Sequence, residues 1–98
     1  MTLRHVVCFR FEPDTTTEQV VALAKGLEEL PGLIPEITGY HVGPDLAINE
    51  TSWDFAVTAD FADTAGYLVY RDHPEHQARI RDLVAPIAAE RAAVQFRT

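Results

Sequence analysis

The sequence predicts an α+β fold in which helices cover one face of a four-stranded antiparallel sheet. Three observations predict it. Apolar residues recur at every second position in some segments and at every third or fourth in others, and these segments follow in the order strand, helix, strand, strand, helix, strand. The links are short and built from Pro, Gly and Asp, so consecutive elements are neighbours. The first strand is apolar on both faces at its centre, which requires cover on both sides of the sheet. The 98 residues form one domain, residues 1–98, near the small end of what folds comfortably alone.

From Leu3 to Phe11 the odd positions are Leu3, His5, Val7, Phe9 and Phe11, while Val6 and Cys8 make the even face apolar as well. Glu12-Pro13-Asp14 turns the chain. Thr15-Thr16-Thr17-Glu18 offers a Thr-x-x-Glu capping box for a first helix, and Val20, Leu23, Ala24, Leu27 and Leu30 supply its apolar face until Pro31-Gly32 ends it. Ile37 to Val42 is a short strand, followed by a polar loop from Gly43-Pro44-Asp45 through Ser52. Trp53 to Phe61 alternates cleanly, with Trp53, Phe55, Val57, Ala59 and Phe61 on one face. Asp63 caps a short helix from Thr64 to about Arg71, and Pro74 restarts a helix that runs towards Glu90 with a bend at Pro86. Ala92 to Phe96 is the closing strand.

With short links and right-handed crossovers, this order is most economically a ferredoxin-like β-α-β-β-α-β sandwich. The face away from the helices is expected to hold Val6, Cys8, Tyr40, Val42, Ala56, Thr58, Val94 and Phe96. Water should not meet that surface, so two copies are expected to place their sheets face to face as a homodimeric α+β barrel.

Composition narrows the partners. Eight basic side chains against fifteen acidic ones give a net charge of −7 with no basic cluster, which argues against nucleic acid and anionic membranes. No apolar run approaches the roughly 20 residues that span a bilayer. The first residues already lead into a patterned strand, leaving no room for a signal peptide, and a cytoplasmic protein is expected. Cys8 is the one cysteine and falls inside a strand, where a buried, inert thiol is expected.

Chemistry concentrates in Tyr70-Arg71-Asp72-His73-Pro74-Glu75-His76, which brings a phenol, two imidazoles and a helix-starting proline into seven residues. Pro74 suits the first helical position, with Asp72 or His73 as cap. Ile80, Leu83, Val84 and Ile87 follow His76 at +4, +7, +8 and +11, so His76 points inward. A buried imidazole near the positive end of a helix dipole stays neutral near pH 7, the form a general base requires. The bland reading is that His76 and Tyr70 are hydrogen-bonded core residues. His73-x-x-His76 has metal-ligand spacing that Asp72 or Asp45 would supplement, but Pro74 makes His73 a cap, so the two rings need not share a face. His41 is expected at the surface, Trp53 packed under the rim of the sheet, and Arg71, Arg79 and Arg81 paired with Asp72, Glu75 and Asp82.

Arg4-His5-Val6-Val7, Gly43-Pro44-Asp45, Trp53-Asp54-Phe55 and Tyr70-x-x-His73-Pro74-x-His76, spread over nearly the whole length, together resemble the stress-responsive A/B barrel family, the Dabb domains. The resemblance implies a dimeric α+β barrel. It also implies a catalytic pair: in the family's plant polyketide cyclase, which works without cofactor or metal, a tyrosine and a histidine of this motif do the chemistry, and Tyr70 and His76 match them. A first-strand histidine of that enzyme is matched by His5. Phe55 and Leu27 stand where it has a third-strand histidine and a helix-borne tyrosine, departures that bear on its substrate and on its reaction.

On this reading His5, Val7 and Phe9, Phe55 and Val57, Leu23 and Leu27 wall an apolar slot with Tyr70 and His76 at one end, suited to a small, flat or oily ligand. His76 would remove a proton next to a carbonyl and Tyr70 would hydrogen-bond the enolate or aldol oxyanion, with no cofactor and no metal. Three functions are therefore expected in turn: a dimer that binds a small apolar carbonyl or polyketide-like compound and performs cyclase, aldol-type or proton-transfer chemistry; a non-enzymatic stress-protective or ligand-binding dimer; and a cofactor-independent monooxygenase or isomerase, which rests on fold analogy.

Overall fold

The computed structural model describes all residues, Met1–Thr98. Its sheet runs β2-β3-β1-β4 and is antiparallel throughout, built from β1 (Leu3–Phe11), β2 (Ile37–Pro44), β3 (Phe55–Phe61) and β4 (Ala88–Arg97). Between the strands lie α1 (Thr17–Glu28), α2 (Leu30–Leu33), α3 (Thr64–Asp72), α4 (Pro74–Arg79) and a π-helical turn, Ile80–Val84. This is the ferredoxin-like order that the periodicity predicts. β1 is central because it is apolar on both sides. Its inward residues Leu3, His5, Val7 and Phe9 are buried with Phe55, Val57, Ala59 and Phe61 of β3 against Leu23, Leu27, Leu30 and Tyr70 of the helices.

Local chemistry sets the boundaries. The capping box of α1 sits one residue later than Thr15 and Glu18: Thr16 Oγ1 accepts the Gln19 N–H at 3.2 Å and Gln19 Oε1 accepts the Thr16 N–H at 2.9 Å. Pro31-Gly32 does not stop the chain in extended form but lies inside α2, where a proline in the first turn forfeits no helical hydrogen bond. Asp63 caps α3 through the Gly66 N–H at 2.8 Å. The restarted helix ends sooner than Glu90. Ala85 N–H closes on the Ile80 carbonyl at 2.8 Å, a five-residue π turn, and Pro86 in the following turn has no N–H to continue the ladder. Ala88 is already paired with Phe11 of β1, so β4 begins four residues before Ala92; sheet pairing overrides the helical preference of alanine.

A bulge in β2 corrects the assignment of sheet faces. Ile37 pairs with Phe61 but Gly39 pairs with Asp60, so Thr38 is an extra residue and the strand changes phase. Tyr40 and Val42 then lie opposite Ala59 and Val57 and pack towards the helices, not on the outer face. The outer face keeps Val6, Cys8, Ala56, Thr58, Val94 and Phe96, with Val94 55% and Phe96 47% exposed. Trp53 precedes β3, half-buried under the Arg10 guanidinium, 4.7 Å from its ring centroid. No helix is long and apolar enough to cross a membrane.

Candidate active site

The corner between α3 and α4 builds the site. Tyr70 lies in the last turn of α3, and the chain leaves the helix at His73, whose Nδ1 accepts the Glu75 N–H at 3.1 Å as the cap of α4. Two residues after Pro74 the helix returns His76 onto Tyr70. The two rings stack with centroids 4.0 Å apart and planes at 28°. His76 Nδ1 lies 3.1 Å from the Arg71 carbonyl oxygen. A carbonyl can only accept, so in the neutral ring Nδ1 carries the hydrogen and Nε2 presents its lone pair. Burial holds the imidazole below its ordinary pKa, against the opposing pull of the carbonyl hydrogen bonds, and the ring is neutral at pH 7.

Tyr70 is 2% exposed, and its hydroxyl meets the Tyr40 hydroxyl at 3.0 Å. Burial drives the Tyr70 phenol far above its ordinary pKa, and Tyr40 is pushed up to about 12 for the same reason. Both stay protonated. Two phenols in one hydrogen bond use one of their two protons, so the pair retains one O–H donor that is not spent between them. His5, 3% exposed, packs against Tyr67 at 5.0 Å and Tyr70 at 6.2 Å between ring centroids, and its Nδ1 lies 2.8 Å from the Gln95 side-chain amide. Burial lowers its pKa from 6.5 to about 4, with Arg91 as the second cause.

These groups face one cavity of about 450 Å³ between the helices and the sheet. Of the residues expected there, Tyr70, His76, His5, Val7, Phe9, Leu27 and Val57 line it. Leu23 and Phe55 do not. Leu23 is fully buried one helical turn, about 5.4 Å, before Leu27 and packs in the core. Phe55 lies two residues along β3 from Val57, against Phe11 at 5.9 Å. Tyr40, Tyr67, Arg91 and Gln95 also line the cavity and were not anticipated. Tyr40 was hidden by the β2 bulge. Arg91 and Gln95 had a signal: alternation that puts Val94 and Phe96 outward puts the odd positions of β4 inward. A larger hollow of about 660 Å³ lies beside Cys8 and Trp53 under the loop after β2, but no imidazole or phenol reaches it.

The family model for the stress responsive A/B barrel domain, Dabb, matches residues 3–98. The chain belongs to the Dabb family. A dimeric ferredoxin-like protein of unknown function from Thermobifida fusca is 40% identical to this Dabb chain, with a TM-score of 0.92 over 100% of this chain and 92% of that one. A dimeric protein of unknown function and ferredoxin-like fold from Bacteroides fragilis is 26% identical, with a TM-score of 0.86 over 99% and 96%. The hydroxynitrile lyase from Passiflora edulis superimposes with a TM-score of 0.84 over 97% and 91%, at 17% identity, a likeness of fold. A search of curated protein sequences finds no match.

Proposed function

We propose that this Dabb protein binds a small carbonyl compound in the 450 Å³ cavity and moves a proton at the carbon beside the carbonyl, in aldol-type, cyclase or related proton-transfer chemistry. The observation that carries the reading is the convergence of a neutral imidazole and a protonated phenol on one hollow, ring against ring at 4.0 Å. His76 Nε2 takes the proton as general base. The spare O–H of the Tyr70–Tyr40 pair hydrogen-bonds the oxygen on which negative charge develops. His5, Val7, Phe9, Leu27 and Val57 hold the apolar body of the ligand. Nothing in this scheme calls on a cofactor or a metal. Two protomers pack their sheets face to face through Val6, Cys8, Ala56, Thr58, Val94 and Phe96, a pairing supported by the dimeric state of the similar proteins from Thermobifida fusca and Bacteroides fragilis. The hydroxynitrile lyase lends the reading its fold and no more.

The test is exchange of the methyl protons of acetophenone for deuterium, followed by proton NMR in heavy water. Wild-type protein is expected to accelerate exchange over buffer, with a rate that falls as acid protonates His76. His76→Gln should lose about a hundredfold or more and Tyr70→Phe a smaller factor, both without loss of fold by circular dichroism. Exchange no faster than in buffer, or equal rates in wild type and His76→Gln, would sink the proposal.

A further inference from the structure

The cavity has a charged mouth. β4 is an edge strand, and its alternation sets Arg91 opposite Phe9, Ala93 opposite Val7 and Gln95 opposite His5, all three on the cavity wall. Arg91 differs from every other arginine of the chain. Arg4 pairs with Asp60, Arg10 with Glu90, Arg71 with Asp72, Arg79 with Glu29 and Glu75, and Arg81 with Asp82, while Arg97 donates to Thr64. Arg91 makes no side-chain hydrogen bond or ion pair, in a chain with fifteen acidic residues against eight basic ones. Its neighbour Glu90 points to the opposite face and is taken by Arg10. An unpaired guanidinium beside an apolar cavity, in a protein this acidic, has all of its donors free to meet an anion.

We propose that the ligand is a carbonyl compound that also bears a carboxylate, with the Arg91 guanidinium receiving the carboxylate at the mouth while the carbonyl lies against Tyr70 and His76. This rests on the carbonyl-binding reading above and adds the class of substrate. The planar fork of Arg91 matches a carboxylate in two parallel hydrogen bonds, which a surface lysine would not. Arg91 lines the same cavity as His5, Tyr70 and His76, and its positive charge acts to lower the pKa of all three. Arg91 and Gln95 are about 13 Å apart along the strand. Gln95 holds His5, whose ring lies against Tyr70, so the span from Arg91 to the phenol has room for an aromatic ring or its equivalent between carboxylate and carbonyl. Arg71, the other cation on the wall, is occupied by both oxygens of Asp72.

The experiment compares 4-acetylbenzoate with its methyl ester, one aromatic ketone with and without the charge, by calorimetric titration of wild type, Arg91→Gln, Arg91→Lys and Tyr70→Phe. Arg91 is exposed and unpartnered, so its variants should fold as wild type does. The acid is expected to bind wild type about ten- to hundredfold more tightly than the ester. Arg91→Gln should erase that preference with the ester's affinity unchanged, and Arg91→Lys should keep part of it. Equal affinity for acid and ester in wild type, or a preference that survives Arg91→Gln, overturns the carboxylate assignment; in those cases a weakening of both ligands by Tyr70→Phe shows that the carbonyl reading still stands. Absence of binding by either ligand overturns both.

Discussion

His5 is expected to make this fold acid-labile in a way that can be isolated. It is a buried histidine, 3% exposed, whose pKa falls from 6.5 to about 4 chiefly because burial penalises the charged ring. Above pH 6.5 both folded and unfolded chains carry it neutral. Between 6.5 and about 4 the unfolded chain binds a proton that the folded one does not, so stability falls with pH across that window and levels off below it. At about 1.4 kcal/mol per pH unit, the gap from 6.5 to about 4 amounts to about 3 kcal/mol. That is a large share of the stability of a domain this size. The perturbation is His5→Gln, which cannot titrate but still offers Gln95 a hydrogen-bonding partner at the same place. Urea unfolding at pH 7.5, 5.5 and 4, followed by Trp53 fluorescence at one protein concentration, measures the effect. Carboxylates contribute equally to both proteins, so the wild type is expected to lose about 3 kcal/mol more than the variant between pH 7.5 and 4. Parallel losses in the two proteins would refute the assignment of His5 as a buried neutral group.

Tyr40→Phe removes the partner of the Tyr70 hydroxyl and should cost about 1 kcal/mol, read as a fall of about 4–8 °C in Tm; an unchanged Tm would mean that the two phenols do not meet. Arg79 joins α1 to α4, its Nε on the Gly26 carbonyl at 2.6 Å and its other nitrogens on Glu29 and Glu75. Arg79→Lys cannot span all three and is expected to lose about 2 kcal/mol in denaturant titrations, so an equally stable variant would show that this fork carries nothing. Val94→Asp places a charge on the outer sheet face and should weaken self-association more than a hundredfold by analytical ultracentrifugation; an intact dimer would move the interface elsewhere.

The elements were legible because their patterns are strong. Phe55, Val57, Ala59 and Phe61 alternate without exception, and Leu23, Leu27 and Leu30 hold helical spacing, so strand, helix and order followed directly. What stayed hidden were single-residue irregularities. Thr38 is the one residue of β2 left without a partner between the pairs Ile37–Phe61 and Gly39–Asp60, and the change of phase turns Tyr40 inward. No periodicity announces such a slip, and with it went the hydroxyl that completes the Tyr70 donor pair. The π turn at Ile80–Val84 is likewise invisible to spacing, since the same residues read as an ordinary helix face. Tyr70 and His76 were legible as a phenol and an imidazole in one motif, but their ring-on-ring contact depends on the bend at His73 that only the fold supplies.

β4 ties the two faces of the molecule together. It is exposed along both sides and held by β1 alone, with Val94 and Phe96 outward and Arg91 and Gln95 inward. An edge strand in that position is the part of a sheet most prone to fray. A second sheet packed on its outer face would hold it flat, and the same strand presents Gln95 to His5 and Arg91 to the cavity mouth. Dimerisation is therefore expected to stiffen the wall of the cavity without contributing a residue to it. Amide hydrogen exchange tests this: in Val94→Asp, the β4 amides paired with β1 should exchange faster than in wild type, while those of β3 stay protected. If β4 exchanges at the same rate in a monomeric variant, the strand is held by its own pairing, and the two faces are independent.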